Sequence, residues 1–489
     1  MVLGELIEKI KFHTLCANLE MTIKGVSFDS RTIVPGELFV AVRGYESDGH
    51  NYIKDAAENG AVCIICEETP DVDVPYVIVD NSRIALAAIS AAWFGYPAEK
   101  LKIIGVTGTN GKTTVTSLIK WVIEKSTGKK VGLIGTNINM IADKEIDTEL
   151  TTPQSYNIHE LFSMMVLEGC EYAIMEVSSH ALHQNRVFGI VFEVGVFTNL
   201  TPDHLDFHSS LDEYAETKAL LFECCSKAAI NIDDDYAQLM ISKAKCPVLT
   251  FGINDLSADL AAKSVKLRAD GVSFSALTIG NLSRIELGIP GMFSVYNALA
   301  VISTGILLEL DMEQVAAALK TTKGVKGRAE VVSLDKEYTV IIDYAHTPDA
   351  LENIITTVQG FAKGRVVTLF GCGGDRDKTK RPLMGAIAAE HSDFVVVTSD
   401  NPRTEKPADI INGILAGMED TKTQYCVIEN RKEAIYWVLE NAKPDDVIIL
   451  AGKGHETYQI FGKEKIHFDE REVVAEYFLN TEAGIRDEE

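Results

Sequence analysis

The sequence predicts an α/β protein of three domains: an N-terminal α/β domain, a central P-loop-type domain with a mostly parallel sheet, and a C-terminal Rossmann-like α/β domain. Three observations predict it. From Leu101 onward, apolar strand-like runs alternate with helical segments, the pattern of a mostly parallel sheet covered by helices. The alternation restarts after a Gly- and Lys-rich stretch at 323–327. The chain has 489 residues, about three domains at roughly 150 residues each.

Composition narrows the function. Apolar residues make up 46% and charged residues 24%, which excludes disordered, collagen-like and disulfide-framework chains. Lys plus Arg number 46 against 71 Asp plus Glu, for a net charge of −25. So acidic a chain is poorly suited to grip a nucleic-acid backbone or an anionic membrane surface, and neither partner is expected. An anionic ligand therefore needs local basic pockets. No apolar run reaches the ~18 residues of a membrane span. Residues 1–13 carry early acidic residues and no signal-type apolar core. Nine scattered cysteines suit a reducing compartment, so a cytoplasmic location is expected.

The first domain is expected over 1–98. Its Cys63-Ile-Ile-Cys66 pair has redox or metal spacing. No second such pair exists and the run is apolar, so a core strand is expected. Residues 83–94 read as an Ala-rich helix, stopped at Gly95 and Pro97. The central domain is expected over 99–327, with strands at 103–107, 131–134, 172–177 and 191–197. The third is expected over 328–489, with strands at 339–343, 365–369, 394–398, 424–428 and 446–450. In doubly wound sheets ligands bind beyond the carboxyl ends of the strands, and the motifs sit at those ends.

The first motif is Gly108-Thr109-Asn110-Gly111-Lys112-Thr113-Thr114, between a β-run and a helix. Its glycines let backbone N–H groups approach phosphates, and the helix N-terminus adds positive potential. Lys112 can reach terminal phosphates and the Thr113 hydroxyl can hold Mg²⁺. The preceding glycine is Gly105, where the usual P-loop places it at 106, so the general motif is met only loosely. A plain Gly-rich turn is the alternative; the strand–loop–helix context favours phosphate.

A second group surrounds Lys218. Ser210-Leu-Asp-Glu213 is a capping box, so a helix is expected from Leu211. On it Tyr214, Lys218, Leu221 and Phe222 share one face. Burial disfavours the charged lysine, and a neutral amine can combine with CO₂ to give a carbamate, a carboxylate-like metal ligand. A lysine snorkelling at the stripe's edge is the alternative. Upstream, Asp203, His204, Asp206 and His208 follow a strand, and Glu176 ends another. Thr113, Glu176, His204 and a modified Lys218 can together hold two Mg²⁺ near ATP.

These segments occur in order with others: MEVSSHAL at 175–182, FTNLTPDHLDFH at 197–208, YAETKALLF at 214–222, YNALA at 296–300, GRAE at 327–330, DYAHTPD at 343–349 and GKGHE at 452–456. The set resembles the Mur ligases of peptidoglycan precursor synthesis, and within them the members that add the third peptide residue. The resemblance implies UDP-substrate-binding, ATP-binding and amino-acid-binding domains in that order. It implies that ATP phosphorylates the D-Glu carboxylate of UDP-N-acetylmuramoyl-L-Ala-D-Glu and that an incoming amine displaces phosphate. It implies catalytic roles for Lys112, Glu176, His204 and carbamylated Lys218, with Thr113 and Glu176 on one Mg²⁺ and His204 and Lys218 serving the second. Gly108–Thr114 with Asn297, Arg328, Asp343 and His346 match ATP contacts. Ser30, in Val26-Ser-Phe-Asp-Ser30-Arg31, with Thr151, Thr152, Ser178, Gln184 and Arg186, matches contacts to the UDP-muramoyl peptide. A monomer is expected.

Asp400-Asn401-Pro402-Arg403 resembles the motif of the meso-diaminopimelate-adding members. Diaminopimelate is lysine with an extra carboxylate on its far carbon, which a planar arginine can bind through two parallel hydrogen bonds. Arg376 matches another carboxylate-binding position, and Gly452 and Glu456 match partners of the distal ammonium. The alternatives are the same ligase adding L-lysine, a folylpolyglutamate-synthase-like ligase, and a binding protein that uses ATP as a switch.

Overall fold

The structure, a computed structural model, describes residues 1–44, 47–148, 150–203, 207–255, 257–268, 270–279, 281–322, 324–332 and 334–482. They fall into two compact units. One is Met1–Phe251 with Ser303–Asp311; the other is Gly252–Ile302 with the described residues from Met312 onward. No helix among the described residues is long and apolar enough to cross a membrane.

The first unit opens with a five-stranded sheet. Strands β1 (Phe12–Cys16), β2 (Gly25–Ser27), β3 (Glu37–Val40), β4 (Cys63–Cys66) and β5 (Tyr76–Val79) lie in the order β1-β5-β4-β3-β2. All neighbours are parallel except β1 with β5. Helices α1 (Leu3–Ile7) and α3 (Ser82–Trp93) cover one face and α2 (Ile53–Glu58) the other. Period-two alternation sends Cys63 and Ile65 into one core and Ile64 and Cys66 into the other. The Cys63–Cys66 pair is thus a core strand, as expected. Burial pushes the Cys63 thiol up to about 12 and Cys66 to about 11. Because the thiolate is the reactive form, neither should label with a thiol reagent at mildly alkaline pH until the protein unfolds. Rapid native labelling, located by peptide mass mapping, would contradict this. The Ala-rich helix is α3: Asn81 caps it by accepting from the Arg83 and Ile84 N–H groups, and Tyr96 turns left-handed before Pro97.

A larger sheet follows in the same unit. It is built from β6 (Lys102–Thr107), α4 (Lys112–Thr127), β7 (Val131–Ile134), β8 (Asn139–Ile141), β9 (Lys144–Ile146), α5 (Ser155–Leu167), β10 (Tyr172–Glu176), α6 (Ser179–His183), β11 (Val194–Phe197), α7 (Leu211–Ala219), β12 (Ala228–Asn231), α8 (Ala237–Lys243) and β13 (Val248–Gly252). The order is β13-β12-β11-β6-β10-β7-β8-β9. It is parallel from β13 to β7 and antiparallel through β8 and β9. The strand expected at 191–197 begins only at Val194, because Val191 faces solvent. The helix expected from Leu211 is α7. Ser210 accepts from the Glu213 N–H, but the Glu213 carboxylate reaches back to the Ser209 N–H rather than to Ser210.

The second unit begins with an antiparallel meander that the sequence did not announce: β14 (Leu260–Arg268), β15 (Gly271–Thr278) and β16 (Asn281–Leu287). After α9 (Met292–Leu307) and α10 (Met312–Lys320) comes the doubly wound sheet. Its elements are β17 (Glu330–Val332), β18 (Thr339–Asp343), α11 (Pro348–Gln359), β19 (Val366–Phe370), α12 (Lys380–His391), β20 (Phe394–Val397), α13 (Pro407–Leu415), β21 (Gln424–Val427), α14 (Arg431–Glu440) and β22 (Val447–Ala451). The order is β17-β18-β22-β19-β20-β21, parallel except at β17. A hairpin of β23 (Tyr458–Phe461) and β24 (Glu464–His467) and helix α15 (Glu470–Glu482) close the chain's described part. Asp343, Arg376, Asp400–Arg403 and Gly452–Glu456 all follow strand carboxyl ends of this sheet, where such folds bind ligands.

Candidate active site

In the first unit the site grows from the β6–α4 turn. Gly108 has φ +147, and a Cβ there would stand 2.0 Å from Thr198 Oγ1; Gly111, at φ +86, is the N-cap of α4. These backbone conformations leave the positive end of a sixteen-residue helix facing the loop. Lys112 Nζ curls over the loop and donates to Gly108 O and Thr109 O, each at 2.9 Å. Replacing Gly108 by alanine meets both a left-handed backbone and the Thr198 hydroxyl. It should lower nucleotide affinity at least about tenfold and stability by about 1–3 kcal/mol, read by nucleotide titration and thermal melting.

Thr113 Oγ1 donates to Glu176 Oε2 at 3.1 Å. Glu176 is 1% exposed and also accepts from Thr136 N at 2.8 Å and Thr136 Oγ1 at 3.0 Å. Hydroxyl and carboxylate oxygens side by side form a hard donor set, which fits Mg²⁺. Lys218 Nζ donates to Gly108 O at 2.8 Å, the carbonyl that Lys112 also uses. It is 1% exposed, with the Tyr214 ring centroid 4.4 Å away. Lys218 is therefore buried, and the snorkelling alternative falls. Burial first, then the neighbouring Lys112 charge, drives its amine well below the ordinary lysine range. The neutral amine is the form that reacts with CO₂. His204 lies outside the described residues.

A cavity of about 910 Å³ opens in the same unit, lined in part by Ser30, Arg31, Arg83, Gln184 and Arg186. Gln184 Oε1 accepts from Arg83 Nη1 at 3.2 Å and from Arg186 Nη2 at 2.9 Å. One amide oxygen thus holds two guanidinium groups. Burial and Arg83 lower Arg186 to about 10, and burial lowers Arg83. A half-buried pair of like charges is relieved by an anion. Arg83 was missed in the sequence because it sits on the first turn of an otherwise apolar helix. Thr152, 1% exposed, donates to Glu176 O at 2.8 Å and accepts from the Ser178 N–H. Its hydroxyl braces the end of β10. Thr151 Oγ1 is hydrogen-bonded to Thr136 Oγ1 at 3.0 Å.

In the second unit, Asp343 ends β18 and accepts from the Ala329 and Ala345 N–H groups at 2.7 and 2.8 Å. It fastens the Gly327–Glu330 turn to the strand. Burial, only partly offset by Arg328 and those donors, pushes its carboxyl up. The Arg328 guanidinium lies over the Tyr344 ring at 4.8 Å, and the His346 ring packs on the same tyrosine. Asn297 is 5% exposed on α9.

The crevice beyond β19, β20 and β22 gathers the remaining residues. Arg403 has φ +52, a strained value for a non-glycine residue. It is held there because its N–H donates to Ile460 O and its carbonyl accepts from Gly462 N. Its Nη1 donates to Gly374 O at 2.7 Å, and a Cβ on Gly373 would stand 2.9 Å from Nη1. Asn401 Nδ2 donates to Glu456 Oε2 at 2.9 Å. Burial first, then the Glu456 carboxylate, pushes the Tyr458 hydroxyl up, with Arg403 opposing. Gly452, at φ +111, passes so close to Asp400 that a Cβ would stand 2.6 Å from Oδ2. Pro402 is buried beside Gly374, and Arg376 is exposed, next to Asp375 O. Beneath them buried Arg431, paired with Glu470, donates to Ser399 O and Ala451 O, tying the ends of β20 and β22 together.

One unit thus holds a glycine-rich loop at a helix N-terminus on a parallel sheet, and the other a charged crevice at the strand ends of a doubly wound sheet. Family models match in order: the Mur ligase family catalytic domain at residues 22–106, the Mur ligase middle domain at 106–305, and the Mur ligase glutamate ligase domain at 327–454. The chain belongs to the Mur ligase family. It is 48% identical over 487 residues to the UDP-N-acetylmuramoyl-L-alanyl-D-glutamate--2,6-diaminopimelate ligase of Caldanaerobacter subterraneus, covering 99% of this chain and 100% of the relative. It is 45% identical to the ligase of that name from Clostridium tetani, covering 97% and 99%. A solved structure of a ligase of the same name superposes with a TM-score of 0.72 at 31% identity, over 99% of each chain. The MurF ligase of Thermotoga maritima in complex with ADP shares the fold, with a TM-score of 0.61 at 20% identity over 94% of this chain and 97% of that one.

Proposed function

We propose that this chain is an ATP-dependent, ADP-forming ligase that joins meso-2,6-diaminopimelate to the D-glutamyl carboxylate of UDP-N-acetylmuramoyl-L-alanyl-D-glutamate, in peptidoglycan precursor synthesis. One observation carries the choice of amino acid: the Arg403 guanidinium, fixed on Gly374 O at 2.7 Å, shares its strand-end loop with Asp400 and with Asn401, which bonds Glu456 at 2.9 Å. A guanidinium and carboxylates in one crevice complement the distal end of diaminopimelate, a carboxylate next to an ammonium.

The chemistry runs in two steps. A D-glutamyl carboxylate oxygen takes the γ-phosphoryl group of ATP, and ADP leaves. The amine of diaminopimelate then attacks the acyl carbon; the C–N bond forms, phosphate departs and the amine's proton passes to water. Such transfers need positioning and charge neutralisation more than covalent help. We assign the phosphates to the Gly108–Thr114 loop, with Lys112 as their cation. Asn297, Arg328, Asp343 and His346 are proposed as nucleotide residues of the second unit. Thr113, Glu176, His204 and the carbamate of Lys218 are proposed to hold Mg²⁺. Bound Mg²⁺ would neutralise charge developing on the phosphoryl oxygens. The carbamate forms when the Lys218 nitrogen bonds to the carbon of CO₂ and releases one proton. Ser30, Thr151, Thr152, Ser178, Gln184 and Arg186 are proposed for the UDP-muramoyl peptide, with Arg83 added from the structure. Arg376, Asp400–Arg403, Gly452 and Glu456 are proposed for diaminopimelate. Domain limits near residues 98 and 327, a monomeric state and a cytoplasmic location complete the proposal.

The test is product mass and phosphate release with ATP, Mg²⁺ and the UDP-muramoyl dipeptide, adding meso-diaminopimelate or L-lysine in parallel. Turnover with diaminopimelate alone is expected. Turnover with lysine instead would keep the ligase and overturn the Arg403 argument. ATP binding with no amide product from either would favour a nucleotide-switch protein.

A further inference from the structure

Lys453 is the one fully buried lysine of the crevice, 0% exposed, and the mechanism above gives it no role. It sits between Gly452 at φ +111 and Gly454 at φ +51. Glycines with positive φ on either side fold the chain back at this point, which turns the intervening side chain inward. Its Nζ donates to Glu456 Oε2 at 2.8 Å and to Asn401 Oδ1 at 3.1 Å, and lies 3.9 Å from Asp400 Oδ1. Asn401 is thereby oriented: its Oδ1 accepts from Lys453 and from the Ile460 N–H, and its Nδ2 faces Glu456.

We propose that Lys453 is a specificity-determining positioning residue: its buried ammonium offsets one of the two crevice carboxylates, leaving a single net negative charge for the single distal ammonium of the amino-acid substrate. This rests on the assignment of Asp400, Asn401, Arg403 and Glu456 to that substrate. Asp400, Glu456, Lys453 and Arg403, with the exposed Arg376 outside this set, sum to zero charge, matching a distal end that is itself a zwitterion. Without Lys453 the same groups sum to −1. That favours a substrate whose far end is an ammonium alone. Lys453 therefore works with Arg403 from the opposite side: Arg403 attracts the distal carboxylate, and Lys453 keeps the crevice from preferring a bare cation. It does not touch the reacting atoms.

The test is Lys453→Met in the full-length protein, with kcat and KM measured separately for meso-diaminopimelate and L-lysine. The expected result is a KM for diaminopimelate raised about tenfold or more, with a preference for diaminopimelate over lysine reduced at least about tenfold. The KM for ATP should stay unchanged. Equal losses for both amino acids would overturn the proposal and leave Lys453 a merely structural group. Should Lys453→Met fail to fold by circular dichroism, Lys453→Met with Glu456→Gln restores the charge sum and is read the same way. That double variant should recover part of the lost preference. Failure of both variants to fold would also overturn the proposal, since the lysine would then be required by the fold even with the charge balanced. Wild-type protein that turns over neither amino acid would instead defeat the parent reading.

Discussion

Lys218→Ala is expected to lower kcat by about a thousandfold or more while leaving the KM for diaminopimelate within a few-fold. Electrostatic groups aimed at a transferring phosphoryl carry contributions of that order, and this residue is proposed as a metal ligand rather than a substrate contact. Two further readouts separate that role from packing. Intact-mass measurement of the wild type should show a carbamate adduct, and activity should fall on removal of CO₂ and return with bicarbonate. Stability should move the other way. The Lys218 amine is held well below its ordinary value of 10.5, so below that value the unfolded chain binds a proton that the folded chain does not. Folding stability therefore rises with pH towards that value and is lost as pH falls. Lys218→Met removes this penalty and should melt at a higher temperature than CO₂-depleted wild type at neutral pH, though inactive. Lys218→Ala that keeps its turnover would sink the metal-ligand assignment.

How much of this was legible in the sequence depends on the range of the interaction. The glycine-rich loop before α4, the core strand Cys63–Cys66 and the Lys218 stripe are local: each follows from period or spacing within about a dozen residues. The parallel strands were legible because burial on both faces leaves continuous apolar runs. The meander β14–β16 was not. In β14 half-buried Lys263, Val265 and Leu267 alternate with exposed Ser264, Lys266 and Arg268, a period-two pattern that continuous apolar runs do not reveal. The site's supporting groups were also invisible. Arg83 meets Gln184 across 101 residues, and Arg431 meets Glu470 across 39. Lys453 lies inside a motif, yet nothing in the motif says its side chain points inward. That follows from the left-handed glycines on either side, seen only in three dimensions.

Arg403→Ala should reduce kcat/KM for meso-diaminopimelate by about a hundredfold or more and change kcat/KM for L-lysine by less than about tenfold. The argument is one of unpaired charge. A substrate lacking the distal carboxylate leaves the guanidinium desolvated without its partner, a penalty of roughly 2–5 kcal/mol, which corresponds to about 30- to several-thousand-fold discrimination. Removing Arg403 takes away both the proposed bidentate partner of diaminopimelate and the penalty against lysine, so the two substrates should converge. Arg403→Lys should not rescue, because an ammonium cannot form the paired parallel bonds of a guanidinium. Arg403 occupies φ +52, so alanine there keeps the backbone strain while losing the Gly374 contact, and part of any lost activity could be lost folding. Arg403→Gly resolves this. Glycine relieves the strain and should melt at or above the alanine variant's temperature, yet be equally poor with diaminopimelate. If glycine restores activity along with stability, the residue serves the backbone and the specificity argument fails. If diaminopimelate use stays low in both while the KM for ATP is untouched, Arg403 reads the distal carboxylate.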